Sequence, residues 1–184
     1  AKVLISVGAL CERKGFHRVM ECLPQLVKSH PSLLFLIAGG VSPEGDWSAR
    51  LRDMAAELGV AGHLRFLGQV DPGELRLPLS AADLFVLATR NEGWANVFLE
   101  AMACALPVVT TDVGGNREVV CGPELGRVVP FGDSAALCAA LDEGLGYTWD
   151  RERILAHARE NDWSRRVEVL DREFARLTGE DASP

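Results

Sequence analysis

The sequence has no apolar run long enough to cross a membrane. Its strand-like runs "LLFLIA" at 33–38 and "LFVLA" at 84–88 are six and five residues, against roughly 20 for a helix that spans a bilayer. The opening "AKVLISVG" lacks the basic, apolar, small-residue order of a secretory leader. Positive charge is not in excess either. There are 19 Lys and Arg against 26 Asp and Glu, a net charge of -7, which argues against a nucleic-acid partner held by a broad basic face but leaves room for a local cationic pocket for phosphate. The five cysteines, Cys11, Cys22, Cys104, Cys121 and Cys138, are odd in number and contain no CxxC pair. Neither a disulfide framework nor a zinc site is suggested, and a reducing, cytoplasmic setting is expected. The four histidines are scattered singly. No Gly-Lys-Ser or Gly-Lys-Thr phosphate loop and no GxGxxG is present, which removes support for ATP hydrolysis and for nicotinamide binding.

What the chain does have is alternation. Aliphatic and β-branched runs at "KVLISVG", "LLFLIAG", "LRFLG", "DLFVLAT", "PVVTT" and "GRVVP" are separated by stretches of helical spacing. The first helix carries Phe16, Val19, Met20, Leu23, Leu26 and Val27 on one face. Further helices are expected around "WSARLRDMAAELG", "PGELRLPLSA", "NVFLEAMACA", from Asn116, and at "SAALCAALDEGLG". Strands buried on both faces, with amphipathic helices between them, predict an α/β fold: a doubly wound, mostly parallel six-stranded sheet. At 184 residues with 48% hydrophobic content, the chain reads as one domain over 1–178. Charged helices are expected over about 150–178, with a break at Trp163 and Ser164 and a frayed tail at 179–184.

In such sheets ligands bind beyond the carboxyl ends of the strands, where the strand order reverses, between strands 1 and 4 of a 3-2-1-4-5-6 arrangement. The loops there are "GALCERKG" (8–15) and "TRNEGWAN" (89–96). Each runs into a helix N-terminus, where unpaired N–H groups and a partial positive charge favour an anion. Arg13 and Lys14 add charge that is unfavourable at a helix start unless an anion neutralises it, and phosphate is the natural candidate. Taken alone, two basic residues on such a loop are more often solvated.

The second loop carries two acids. A helix starting near Asn96 would hold Glu100 in its first turn, with Glu92 in the preceding loop, both facing the crevice to which Lys14 points. Carboxylates repel phosphate and accept hydrogen bonds from hydroxyls. A diphosphate flanked by polyols, that is, a nucleotide sugar, satisfies both loops at once.

The stretch "NEGWANVFLEAMACALPVVTTDVGGNREVV" resembles the signature region of the group 1 retaining glycosyltransferases (family 4) of GT-B fold. Carrying the resemblance are the seven-residue spacing between Glu92 and Glu100, the "EAMA" helix, "PVVTTDVGG" and Glu118, with "VGALCERKGF", "LLFLIAGG" and "RFLGQV" upstream in the same order. The resemblance implies that Lys14 and Arg13, with Gly8 and the backbone at Asn96 and Val97, hold the diphosphate of a UDP- or GDP-sugar. It implies that Glu100 binds the ribose, that Glu92 with Gly93, Trp94 and Ala95 meets the transferred sugar, and that Gln69 and Val70 approach the base. Glu92, Lys14 and Arg13 are the implied catalytic groups. No metal or other cofactor is expected, since no Asp-x-Asp pair appears.

Three departures from the family pattern stand out. Ala9 replaces a common arginine, Ala95 a usual glycine or proline, and Ala105-Leu106 a common Gly-Thr. Family members also have two Rossmann-like domains. This chain matches only the C-terminal donor half, so the N-terminal acceptor domain is missing and the chain alone is expected to be inactive. Its exposed interdomain face would be a surface for self-association, and the parent, an enzyme of cell-surface polysaccharide biosynthesis, would sit in the cytoplasm, peripheral at the inner membrane through the missing domain. Alternatives are a catalytically silent nucleotide-sugar-binding module, a GT-B-fold sugar-nucleotide epimerase, and a signalling receiver. The absence of an acidic cluster after strand 1 argues against the last.

Overall fold

The computed structural model describes residues 1–178; the expected tail at 179–184 lies outside them. Six strands, β1 (Val3–Val7), β2 (Leu34–Ala38), β3 (Leu64–Gly68), β4 (Leu84–Leu87), β5 (Val108–Thr111) and β6 (Gly126–Val129), form one sheet in the order β3-β2-β1-β4-β5-β6. Every pairing is parallel. The order reverses between β1 and β4, as the doubly wound reading requires.

Alternation along the strands divides the core. Leu4, Val86 and Val109 face one layer, with Phe16, Met20 and Leu23 of α1 (Phe16–Ser29), Leu51 of α2 (Ser48–Glu57), and Leu137 and Leu141 of α6 (Ser134–Gly146). Their neighbours Ile5, Phe85 and Val108 face the other layer, with Leu79 of α3 (Arg76–Ser80), Phe98 and Met102 of α4 (Asn96–Ala103), Val119 of α5 (Asn116–Val119) and Ile154 of α7 (Arg151–Glu160). All four residues of β4 and of β5 are buried, because helices cover both faces of the sheet's middle.

Two expected elements differ. The helix at 72–81 contracts to α3, because Asp71-Pro72-Gly73 forms a turn, with the Leu75 N–H donating to the Asp71 carbonyl (3.0 Å). The break near Trp163 and Ser164 falls instead at Asn161 and Asp162. The Asp162 carboxylate accepts from the Arg165 N–H (2.9 Å) in the manner of a cap, so Trp163 opens α8 (Trp163–Thr178) rather than interrupting it. Val167, Leu170, Phe174 and Leu177 of α8 are exposed.

Candidate functional site

The loops after β1, β2 and β4 meet at the carboxyl edge of the sheet. The Gly8 N–H donates to Ala38 O (3.0 Å) and the Leu10 N–H to Gly40 O (2.8 Å), tying the β1 loop to the β2 loop. The Arg13 carbonyl accepts from the Arg90 N–H (2.8 Å) and the Thr89 hydroxyl (3.2 Å), tying it to the β4 loop. Gly15, at φ 74°, ends a 3-10 turn at Glu12–Lys14, and a Cβ there would overlap the Ala88 carbonyl. Only glycine lets the chain pass so close to the end of β4.

Into this junction project Lys14 and Glu92. The Lys14 ammonium pairs with both carboxylate oxygens of Glu92, which is buried. The Lys14 stem lies over Gly8, where an added Cβ would sit 3.4 Å from its Cδ. Arg13 is engaged on two edges of its guanidinium. Nε and Nη2 donate to the two oxygens of Glu44 (2.7 and 2.6 Å), while Nη1 donates to the Asn91 carbonyl (2.9 Å) and lies 3.4 Å from Glu92 Oε2. The Glu44 hydrogen bonds, reinforced by the charges of Glu44 and Glu92, outweigh burial and raise the Arg13 pKa, while Arg13 holds the Glu44 carboxyl below its ordinary value.

The expected need for an external anion at Arg13 and Lys14 is therefore corrected: carboxylates of the chain itself supply the negative charge. Glu44 was not anticipated. It lies in "GGVSPEGDW", a stretch with no periodicity, and its partner is 31 residues away.

Gly8 and Ala9 also line a cavity of about 270 Å³ with Gly39, Gly40, Gln69 and Val70, so the loops after β1, β2 and β3 bring the expected base residues beside Gly8, whereas Arg13, Lys14, Asn96 and Val97 do not line that cavity. Glu100 is separated from it as well. It is the fifth residue of α4, whose first turn holds no acid. The expectation of a first-turn Glu100 facing the Lys14 crevice is corrected by one turn of helix. Glu100 lines a second cavity of about 810 Å³ between α4 and α8 with Trp94, Asn96, Trp163 and Leu170. Although the residue is exposed, desolvation by the atoms around its carboxyl raises its pKa. Ala95, buried, stands at the start of α4 and gives it no side-chain cap, and Val97 follows in the first turn.

A buried polar set fixes the backbone of the β4 loop from behind. Thr110 donates to Leu87 O (2.9 Å), Thr111 to Thr89 O (2.5 Å), and the Asn116 amide to Thr110 Oγ1 (3.0 Å) and Thr111 O (2.9 Å). The Gly115 N–H then donates to Gly93 O (3.0 Å). The adjacent glycines of "DVGGN" were the available signal for this close approach. Among the described residues no group of three or more His, Cys, Asp or Glu could hold a metal ion.

A six-stranded parallel sheet whose order reverses between β1 and β4, with helices on both faces, defines a Rossmann-like α/β protein of the kind found in GT-B glycosyltransferases. The family model for "Glycosyl transferases group 1" matches residues 1–160, and the chain belongs to that family. It is 34% identical over 143 residues to the lipopolysaccharide core biosynthesis glycosyltransferase LpsE of Rhizobium meliloti (strain 1021), covering 78% of this chain and 39% of the relative. It is 36% identical over 169 residues to the phosphatidyl-myo-inositol mannosyltransferase of Mycobacterium leprae (strain TN), covering 89% and 43%. Among solved structures, sucrose-phosphate synthase from Thermosynechococcus elongatus superposes with a TM-score of 0.82 at 26% identity, covering 98% of this chain and 46% of that one. The chain thus spans less than half the length of these relatives.

Proposed function

We propose that this chain is the C-terminal, donor-binding part of a retaining glycosyltransferase that moves a glycosyl group from a nucleoside diphosphate sugar to an acceptor held by an N-terminal domain. The observation that carries the reading is the Lys14–Glu92 pair over Gly8, at the reversal of strand order and beside the cavity of Gln69 and Val70.

In this reading the base lies against Gln69 and Val70, and the diphosphate over Gly8 draws Lys14 partly away from Glu92. As the bond to the sugar breaks, negative charge grows on the departing diphosphate. Lys14 and the N–H groups that open α4 at Asn96 and Val97 stabilise it electrostatically, with no metal required. Glu92, with Gly93, Trp94 and Ala95, accepts hydrogen bonds from the transferred sugar, and Glu100 from the ribose. Because Glu100 stands a turn deeper in α4 than Asn96, the donor must extend along the exposed side of that helix to reach it. Relatives that act in lipopolysaccharide core biosynthesis and on phosphatidyl-myo-inositol support a parent that builds cell-envelope glycans at the inner membrane surface. No helix of the described residues is long and apolar enough to cross a membrane. The apolar side chains that α8 exposes suit a face covered by the N-terminal domain or, in its absence, by a second copy of the chain.

Calorimetry against UDP, GDP, ADP and their common sugar conjugates tests this. One nucleotide series is expected to bind, and Lys14→Ala and Glu100→Ala are each expected to weaken it about tenfold or more, the worth of a charge-assisted hydrogen bond. Affinity unchanged by both substitutions would move the donor off this site.

A further inference from the structure

Glu44 has no part in the donor reading, yet it makes the most regular ion pair of the site. The loop that carries it, between β2 and α2, is braced in its own right. Ser42 and Gly45 exchange backbone hydrogen bonds, the Glu44 N–H donates to Ser42 Oγ (3.2 Å), and the Trp47 N–H donates to Leu10 O (2.8 Å), which ties this loop to the β1 loop. From that support the Glu44 carboxylate meets the Nε and Nη2 edge of Arg13 with both oxygens. The paired geometry matches the rigid fork of a guanidinium, which a lysine could not reproduce. The remaining Nη1 is directed at the β4 loop, onto the Asn91 carbonyl and toward Glu92 Oε2.

The two adjacent cations are therefore not equivalent. Among the described residues Glu92 is the one carboxylate within ion-pair distance of Lys14, so an incoming diphosphate has a single partner to displace. To take Arg13 it would have to break a two-point ion pair and a bond to a backbone carbonyl. Arg13 is committed to protein acceptors on each edge, and one of them is the side chain assigned to the transferred sugar.

We propose that Glu44 and Arg13 are positioning residues for the sugar end of the donor. Glu44 fixes Arg13, Arg13 fixes the Glu92 carboxylate against the sugar's hydroxyls, and neither takes a phosphate oxygen. The inference rests on the donor-site reading above, and it removes Arg13 from the diphosphate ligands that the family resemblance implied.

The test compares two ligands on one protein, the nucleoside diphosphate that the chain binds and its sugar conjugate, by calorimetry on wild type, Glu44→Ala and Glu44→Asp, with thermal unfolding to verify that each variant is folded. Glu44→Ala is expected to leave the affinity for the plain nucleotide within about twofold and to weaken the sugar conjugate about tenfold. Glu44→Asp, which keeps the charge, should fall between Glu44→Ala and wild type. Equal loss for both ligands, no loss for either, a tightened nucleotide showing Arg13 released onto phosphate, or a Glu44→Asp no better than Glu44→Ala would each overturn the proposal. So would a wild type that binds the nucleotide and its conjugate equally, a result that leaves the donor site standing. A wild type that binds no nucleotide at all overturns the donor reading itself and this proposal with it.

Discussion

Gly114 leaves its Cβ position to the carbonyl oxygen of Glu92: a methyl group there would overlap that oxygen, and the residue's φ of 51° is itself unfavourable for any side chain. The turn after β5 is thus the surface on which the backbone of the candidate sugar-binding acid rests. Gly114→Ala is expected to destabilise the fold by about 2 kcal/mol or more, through strain and the forced shift of residues 92–93. Affinity for a sugar nucleotide should fall more than affinity for the plain nucleotide. Urea unfolding with parallel calorimetry checks both, and an unchanged midpoint would show that the turn yields freely.

Ala105 is the single non-glycine residue of positive φ (59°) among those described. It follows the end of α4 in a Schellman arrangement, with the Ala105 N–H on Met102 O (2.9 Å) and the Leu106 N–H on Ala101 O (3.0 Å). Glycine meets that conformation without a Cβ penalty but loses more entropy on folding. Ala105→Gly is expected to stabilise the protein by about 0.5 kcal/mol, raising the melting temperature by one or two degrees. A fall in the urea midpoint would mean that the methyl's packing outweighs the strain.

Sheet topology was legible because each strand is a short run of aliphatic residues ending at a loop of Gly, Pro or Asp, and parallel order follows once helices intervene. The meeting of Lys14 and Glu92 was legible because they sit in loops whose place in the fold the strand count determines, whereas Gln69 and Val70 came only from the family resemblance and the structure places them beside Gly8. Glu44 was hidden, since an ion pair across 31 residues leaves no period in the sequence. The displacement of Glu100 was not hidden. α4 begins at Asn96 as expected, but a turn holds only about 3.6 residues, so Glu100, the fifth residue of the helix, already lies beyond the first turn.

Glu100 gives a pH dependence of known sign. Desolvation of its carboxyl raises its folded pKa above the unfolded value of about 4.3, so the folded state binds the proton more tightly. Its contribution to stability is present below that unfolded value and is lost as pH rises through the folded one. Glu100→Gln is therefore expected to match wild type near pH 4 and to melt higher at pH 7, by about one degree given the solvent access of the group. Melting curves at the two pH values decide it, and a variant that melts lower at pH 7 would contradict the sign.

The thiols should separate by burial. Cys121 is exposed, whereas burial pushes the Cys22 thiol up to about 12 and raises that of Cys138. An aromatic disulfide reagent at pH 8 is expected to modify Cys121 within minutes and to reach Cys22 and Cys138 only in denaturant. Peptide mapping after a short exposure reads the outcome, and early labelling of Cys22 would show that α1 and α6 part readily.

The Arg13 cluster gathers partners 31, 78 and 79 residues along the chain. No short fragment contains it, so it comes into being only after the long chain segments between these loops have closed and their entropy has been lost. A ligand that needs this cluster binds only the finished fold and stabilises it in proportion to its occupancy. Affinity for the sugar conjugate, the ligand expected to depend on this cluster, would then measure completion. Any local opening of the loops after β1, β2 or β4 would be felt there before the sheet itself begins to melt.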